Sequence, residues 1–440
     1  MTDWPRTTIT PLDVVWFLTG HRDAIVNIAQ TPAALAVGAV FVLSAGLARE
    51  YDGEDLRAEP QHLLIPFFAS LVTSILLFTG IYFALRLHGG LVTGYCSLYA
   101  RFLAAYWMTA PLAWLYALPV ERWFSAAVAV KANLWLLAVV SAWRVILMIR
   151  IVMVMFGAPF EDAFSLVGAF AATVTAVAAW TMPTPIINVM GGVRFSEKEE
   201  LISRVMSWVR GLSTLAAPAL WAIAALCIES PLKHWSELTI ARTGAGIHLS
   251  LWAVAAASVG VWFWLARGPQ REQRLRRLVE SAFRSGDIDR ALEIMSSHKQ
   301  TEFPPHWDPP PRHAYRLFEP RMIDVVDAIG RGGAARWVTD IYDRKLGYEF
   351  DRVLNFVLSG PDRYLGRASL DEVERLIAIL EQVPTARKAA VESYIPDIWL
   401  FDLNRQDFDR TSVDANETER RFGMYQRLLA ILREYHPPDD

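Results

Sequence analysis

Hydrophobic residues in the first 270 positions come in long unbroken blocks, whereas in the last 170 they recur at short helical intervals among charges. A helix crosses the hydrocarbon of a bilayer with about 20 mainly apolar residues, because backbone groups find no partner in lipid. Seven stretches meet that requirement: Thr31–Ala48, His62–Leu87, Tyr95–Pro119, Ser125–Gly157, Ala163–Met182, Gly211–Ile228 and Ala245–Ala266. A soluble core helix can imitate one such run, but not seven in succession. Small residues recur beside bulky ones, as at Ala169, Ala172, Ala176 and Ala179, and such surfaces let neighbouring helices approach closely. The pattern predicts an all-α protein: a polytopic transmembrane helical bundle of about seven spans over residues 31–268, followed by a C-terminal soluble helical domain.

The flanking segments carry their own signals. In PLDVVWFLTGHRDAIVNIAQ, Thr10 suits an N-cap, Pro11 the first helical position and Asp13 the first turn. His21, Arg22 and Asp23 interrupt the apolar run, so residues 1–30 are expected to hold an interfacial helix. After the last span, Leu275, Leu278, Val279 and Phe283 recur at helical spacing, Ser285 to Asp287 form a turn, and a second helix starts near Ala291. Residues 269–298 therefore read as a juxtamembrane helical hairpin. The five prolines of KQTEFPPHWDPPPRH mark residues 299–313 as a semi-rigid linker. Residues 314–440 form the soluble domain, with helix starts at Ser369 and Asp414, each followed three positions later by a glutamate, and a further helix from Thr385. The GRGG at Gly330–Gly333 lacks the glycine spacing of a nucleotide loop and is a turn.

Charge follows the same division. Lys, Arg, Asp and Glu number 33 in residues 1–270 and 56 in residues 271–440. A net charge of −3 with no clustered basic residues over a broad face gives no reason to expect a nucleic-acid partner. The two cysteines, Cys96 and Cys227, both lie in apolar stretches and are expected to behave as small core hydrophobes. The chain's start lacks a basic segment running directly into an apolar one, so no cleavable signal peptide is expected. Arg267, Arg271, Arg274, Arg276 and Arg277 follow the seventh stretch, and cationic residues so close to a span favour the cytoplasmic side. With seven spans the N-terminus then lies outside, and the loop with Arg194, Lys198, Arg204 and Arg210 falls inside. Arg144 and Arg150 run against this trend: either they face the bundle interior, or Arg144 to Gly157 lies along an interface. The preference for arginine over lysine points to a bacterial cytoplasmic membrane.

Candidate chemistry is sparse. Arg101, Lys131, Arg144 and Arg150 are the cations in or near spans, where charge is costly, and are candidates for a ligand or lipid headgroup. The five juxtamembrane arginines are candidates for anionic-lipid contact. Asp52, Glu54 and Asp55 around Gly53 resemble part of a calcium loop, but the twelve-position ligand pattern is absent and Glu59 does not restore it. An Asp-Gly turn with exposed carboxylates is expected there, with no metal. Pro183 and Pro185 should end the fifth helix near Thr181, and Pro218 is a point where the sixth can kink. His62, His88 and His248 belong to no zinc motif, and neither a nucleophile elbow nor a phosphate loop occurs. No catalytic residue and no cofactor are assigned. The reading is a non-enzymatic membrane scaffold or regulator in contact with membrane lipids, acting through a protein partner or a homo-oligomer. The alternatives are a transporter or channel for a small solute or anion, and an embedded enzyme acting on lipid.

Overall fold

The computed structural model describes residues 8–88, 94–181, 197–228, 235, 246–311, 320–346, 370–382 and 415–435. It divides into two compact units, one of residues up to Gln273 and the other of residues from Arg274 onward. Among the described residues the structure is all-α apart from a short parallel pairing of β1 (Thr8–Ile9) with β2 (Gly246–Ile247).

The first unit opens with α1 (Pro11–Leu18) and α2 (Arg22–Gln30). The Asp13 carboxylate accepts from the Thr10 amide at 2.8 Å and its hydroxyl at 2.7 Å, which closes the first turn of α1. Gly20, at φ +80°, turns the chain into α2. The bundle continues with α3 (Ala33–Glu50), α4 (Gln61–Leu87), α5 (Tyr95–Trp107), a 3-10 stretch (Ala110–Ala117), the short α6 (Val120–Trp123), α7 (Ala126–Phe156), α8 (Phe160–Thr181), α9 (Glu197–Ile228) and α10 (Leu249–Leu265). Among the described residues, six segments are long and apolar enough to cross a membrane, and α10 makes a seventh when it is joined, across a 48° bend, to α11 (Arg267–Arg284).

Three span details differ from the periodicity. The third is broken at Trp107 and passes through the 3-10 stretch, where Pro111 occupies the first turn. The fourth is one continuous helix of 31 residues, so Arg144 to Gly157 does not peel away along an interface; Leu147, Ile151, Val152 and Phe156 are buried in the core. The sixth begins at Glu197, a charged turn that apolarity alone could not count, and runs through Pro218 without ending. The Pro183–Pro185 break lies outside the described residues.

α3 sits at the centre, against α4, α5, the 3-10 stretch and α10. Its small residues allow this: a Cβ on Gly38 would come within 2.9 Å of the Trp107 Cβ. Outward faces stay apolar, as in the α4 stripe Phe68, Val72 and Leu76, and these faces meet lipid hydrocarbon.

Several hydroxyls inside the bundle share one pattern. Along α4, the hydroxyls of Ser70, Thr73, Ser74 and Thr79 each donate to a carbonyl three or four residues back on their own helix. A hydroxyl has one proton, so its oxygen is then an acceptor for a neighbour. Antiparallel α5 supplies the donors in register: Trp107 Nε1 to Ser70 at 3.1 Å, Tyr106 to Thr73 at 3.0 Å, Tyr99 to Ser74 at 3.0 Å and Tyr95 to Thr79 at 2.8 Å. The pattern repeats elsewhere. Trp114 donates to Ser44 of α3, and Trp221 of α9 donates to Thr173 of α8, with both hydroxyls bonded back to their own helices.

The second unit takes up the rest of α11 and continues with α12 (Ile288–Ser296), α13 (Met322–Gly330), α14 (336–346), α15 (Leu370–Gln382) and α16 (Ala415–Tyr435). The α11–α12 hairpin turns at Gly286, at φ +80°, and Asp287 caps α12 by accepting from the Arg290 amide at 3.0 Å. Gly332 and Gly333, both near φ +100°, make the turn expected of GRGG. Val279, Phe283, Met295, Tyr342, Ile377 and Leu428 share one core. The proline segment packs onto this unit: Phe303 stacks on Trp307 at 4.8 Å, Tyr342 donates to the Pro310 carbonyl, and buried Lys345 donates to the carbonyls of Pro309 and Pro311. α15 and α16 are joined by Arg420 to Asp371 and Glu374 and by a two-pronged Arg427–Glu381 pair. The starts at Ser369 and Asp414 and the helix from Thr385 lie outside the described residues.

The donor pattern makes an asymmetric prediction. Removing the donor by Tyr99→Phe leaves Ser74 bonded to its own helix and should cost about 0.6 kcal/mol, the average for such bonds in membranes. Removing the acceptor by Ser74→Ala strands the Tyr99 hydroxyl beside a fully buried position and should cost about 1–3 kcal/mol. Equilibrium unfolding of the two variants in mixed micelles would show it, and equal losses would refute the assignment of donor and acceptor.

Candidate functional site

The α3–α4 loop, 51–60, is where the first unit gathers its polar groups. At its start the Tyr51 hydroxyl donates to the Ala117 carbonyl at 3.0 Å. Burial, reinforced by the Asp52 carboxylate, pushes that phenol up to about 12. Asp52 is itself pushed up to about 6, first by burial and then by the Glu121 carboxylate. Asp55 is buried at 3% exposure. The expectation of an exposed Asp-Gly turn is thus corrected: the turn is present, but two of its carboxylates are drawn inward by the neighbouring helices.

What holds the loop is the first turn of α11. The Gln270 side chain accepts from the Leu56 amide at 2.8 Å and donates to the carbonyls of Tyr51 at 2.8 Å and Glu54 at 2.7 Å. One carboxamide thereby satisfies three backbone groups that no helix or sheet serves. One turn further on, Gln273 donates to the Asp52 carbonyl. Between them, Glu272 receives both ends of a forked contact from Arg122 of α6, at 2.7 and 2.9 Å. The loop's own backbone adds the Glu59 amide bonded to the Asp55 carbonyl at 2.9 Å and the His62 amide bonded to that of Glu59 at 3.2 Å.

This folding brings Glu54, Glu59 and His62 together, all partly buried, with one potential ligand atom from each lying within 4.8 Å of the others. Sequence spacing hid the group. Measured against a twelve-position calcium loop, Glu59 falls out of place; measured against the Glu-x-x-His spacing that puts a carboxylate and an imidazole on one side of a helical turn, Glu59 and His62 fit.

The cations singled out from the sequence have different surroundings. Lys131 is exposed early in α7. Arg144 lies over the Tyr106 ring at 5.9 Å. Arg150 donates to the Gly20 carbonyl at 3.2 Å, and Trp143 to that of Leu18 at 2.8 Å, so these two side chains satisfy the open end of α1. Arg101 is half-buried on α5. Of the juxtamembrane set, Arg267, Arg271 and Arg274 recur at helical spacing on an exposed face of α11, while Arg276 and Arg277 are half-buried. His248 caps α10, its Nδ1 accepting from the Ser250 amide, and Cys96 is exposed on the first turn of α5 instead of lying in the core. Asp162 at the start of α8 accepts from Trp235 at 3.0 Å, and the Trp235 ring stacks on His88.

Comparison with protein-family models, with curated proteins and with solved structures returned no match.

Gln270→Leu keeps the size of the side chain and deletes its three bonds. At roughly 1 kcal/mol for each net hydrogen bond, the full-length protein should lose about 2–3 kcal/mol. Thermal unfolding in detergent would register the loss, and an unchanged midpoint would show that the loop does not depend on α11.

Proposed function

We propose that this protein is a non-enzymatic scaffold or regulator of a bacterial cytoplasmic membrane, which presents its C-terminal helical domain to a protein partner on the cytoplasmic side. The clasp on α11 carries this reading. A helix that merely tethered a soluble domain would need no contact with the loops it passes. Here its first two turns are fixed by Gln270, Gln273 and the Arg122–Glu272 fork. Within the first unit the start of α11 is thus anchored to that unit's own loop, which suits presentation of a surface further along the chain.

That surface has a candidate. α11 and α12 border an open groove of about 540 Å³ lined by Leu275, Leu278, Ala282, Ile294, Ser297 and His298, with Leu278 half-exposed. The transporter reading would place Arg101, Lys131 and Arg144 along a water path. Lys131 on an outer surface and Arg144 spent on Tyr106 weigh against it. Exposed Arg267, Arg271 and Arg274 follow directly on exposed Phe263 and Trp264. Aromatics at headgroup level beside a basic stripe suit anionic lipid, at about 1 kcal/mol per arginine.

Two measurements test these readings in the full-length protein. A photo-crosslinking residue at Leu278 or Ile294 should yield one discrete protein adduct in native membranes, and one at lipid-facing Leu215 should not; an adduct of twice the chain's mass would make the partner a second copy. The absence of any adduct at both groove positions would count against docking there. Replacing Arg267, Arg271 and Arg274 together by glutamine should lower the number of phosphatidylglycerol molecules retained in native mass spectrometry, with phosphatidylcholine unaffected. Unchanged retention would remove these arginines from lipid recognition.

A further inference from the structure

We infer that Glu54, Glu59 and His62 form a binding site for a divalent first-row transition cation of the zinc type. Three observations lead there. The donor set is mixed, two carboxylates and an imidazole, and the nitrogen decides the class: calcium and magnesium take oxygen ligands, whereas zinc and its neighbours accept imidazole beside carboxylate. The geometry is within reach. With bonds of about 2.0–2.2 Å, tetrahedral ligands stand about 3.4 Å apart, and the three candidate atoms lie within 4.8 Å of one another, so small side-chain rotations close the site. The third observation concerns the backbone under the donors. The Glu54 amide is bonded to the Glu50 carbonyl at 3.2 Å and its own carbonyl is held by Gln270, while Glu59 and His62 are bonded into the same turn. Little chain entropy is left to lose on binding, which favours a site over a chance meeting of side chains.

Three protein donors leave a fourth position to solvent. The cation would also tie the loop at Glu54 to the first turn of α4 at His62, and so brace the segment that Gln270 and Gln273 grip. Metal binding would therefore stabilise the α11 clasp. The inference stands on the donor geometry and holds whether or not the second unit docks a protein.

The experiment uses full-length protein in detergent without a polyhistidine tag, stripped with chelator and then offered Zn2+ in the presence of excess Mg2+. Wild type should retain one Zn2+ per chain after gel filtration, measured by elemental analysis, and its thermal midpoint should rise with Zn2+. His62→Gln and Glu54→Gln should each bind more than about tenfold more weakly, since even outer-shell partners of a metal cost that much, and should lose the thermal shift. His21→Gln, in the distant α1–α2 turn, should bind as wild type. Equal retention by wild type and both site variants would reduce the binding to adventitious ions and overturn the inference, as would no retention at all. Should a site variant fail to elute as wild type, Co2+ absorption of the wild-type protein decides: bands of an imidazole-ligated cobalt support the site, and a spectrum of free aqueous cobalt sinks it.

Discussion

Hydrocarbon offers no hydrogen bond, and the first unit is organised around that constraint. Each hydroxyl inside the bundle must dispose of a proton and a lone pair without water. α4 sends the protons of Ser70, Thr73, Ser74 and Thr79 into its own backbone, and α5 answers the lone pairs with Trp107, Tyr106, Tyr99 and Tyr95 in antiparallel order. Because each pair sits at a different height, a slip of α5 along α4 by one turn would unmake all four at once. Dispersion between small and bulky residues brings the helices together, and the bonds set their register. Trp114 with Ser44 and Trp221 with Thr173 extend the same device to α3 and to the α8–α9 pair.

The constraint relaxes at the span ends, and there the chemistry changes. Backbone groups of the α3–α4 loop have no helix to serve them, and a side chain from a distant part of the sequence does so instead. Gln270 lies 214 residues beyond the Leu56 amide it satisfies. The same economy appears where α1 ends, with Arg150 and Trp143 of α7 reaching the carbonyls of Gly20 and Leu18. Arg150, a cation that looks costly in a linear reading of α7, thus meets an orphan carbonyl.

Much of the fold was legible in the chain because hydropathy reports solvent directly. Six of the apolar stretches reappear as helices of membrane length, with the seventh as α10, and the Pro11, Gly286 and Asp287 signals mark the helix boundaries they should. What stayed hidden depends on which helices are neighbours. Trp107, Trp114 and Trp221 act as donors across helix pairs, a role visible only once the hydroxyl each one faces is known. The apolar neighbours of Cys96 point to the core, yet Cys96 is exposed on the first turn of α5, beside exposed Ser97. The proline segment was read from its backbone limits as a linker, while its carbonyls, which cannot be taken up by a helix, are acceptors for Tyr342 and Lys345. Glu54, Glu59 and His62 escaped because a site defined in space was compared with a motif defined in sequence.

The proposed orientation has to survive a conflict of charge. The α3–α4 loop holds Asp52, Glu54, Asp55 and Glu59, and the Gln270 clasp puts this acidic loop at the same end of the bundle as the arginines of α11. A rule based on net charge would find that end ambiguous. Insertion responds to Lys and Arg near span ends and hardly at all to Asp and Glu, so the acids do not cancel the cluster. Their charge is also handled locally: Glu272 is forked by Arg122, and burial raises the Asp52 carboxyl towards its neutral form. Arg267, Arg271 and Arg274 are exposed on α11, within a turn of the glutamines that grip the loop. The first turns of α11 thus hold an acidic loop with neutral carboxamides. Had the clasp been built from arginine instead of glutamine, the loop would have consumed the charge on which this orientation depends.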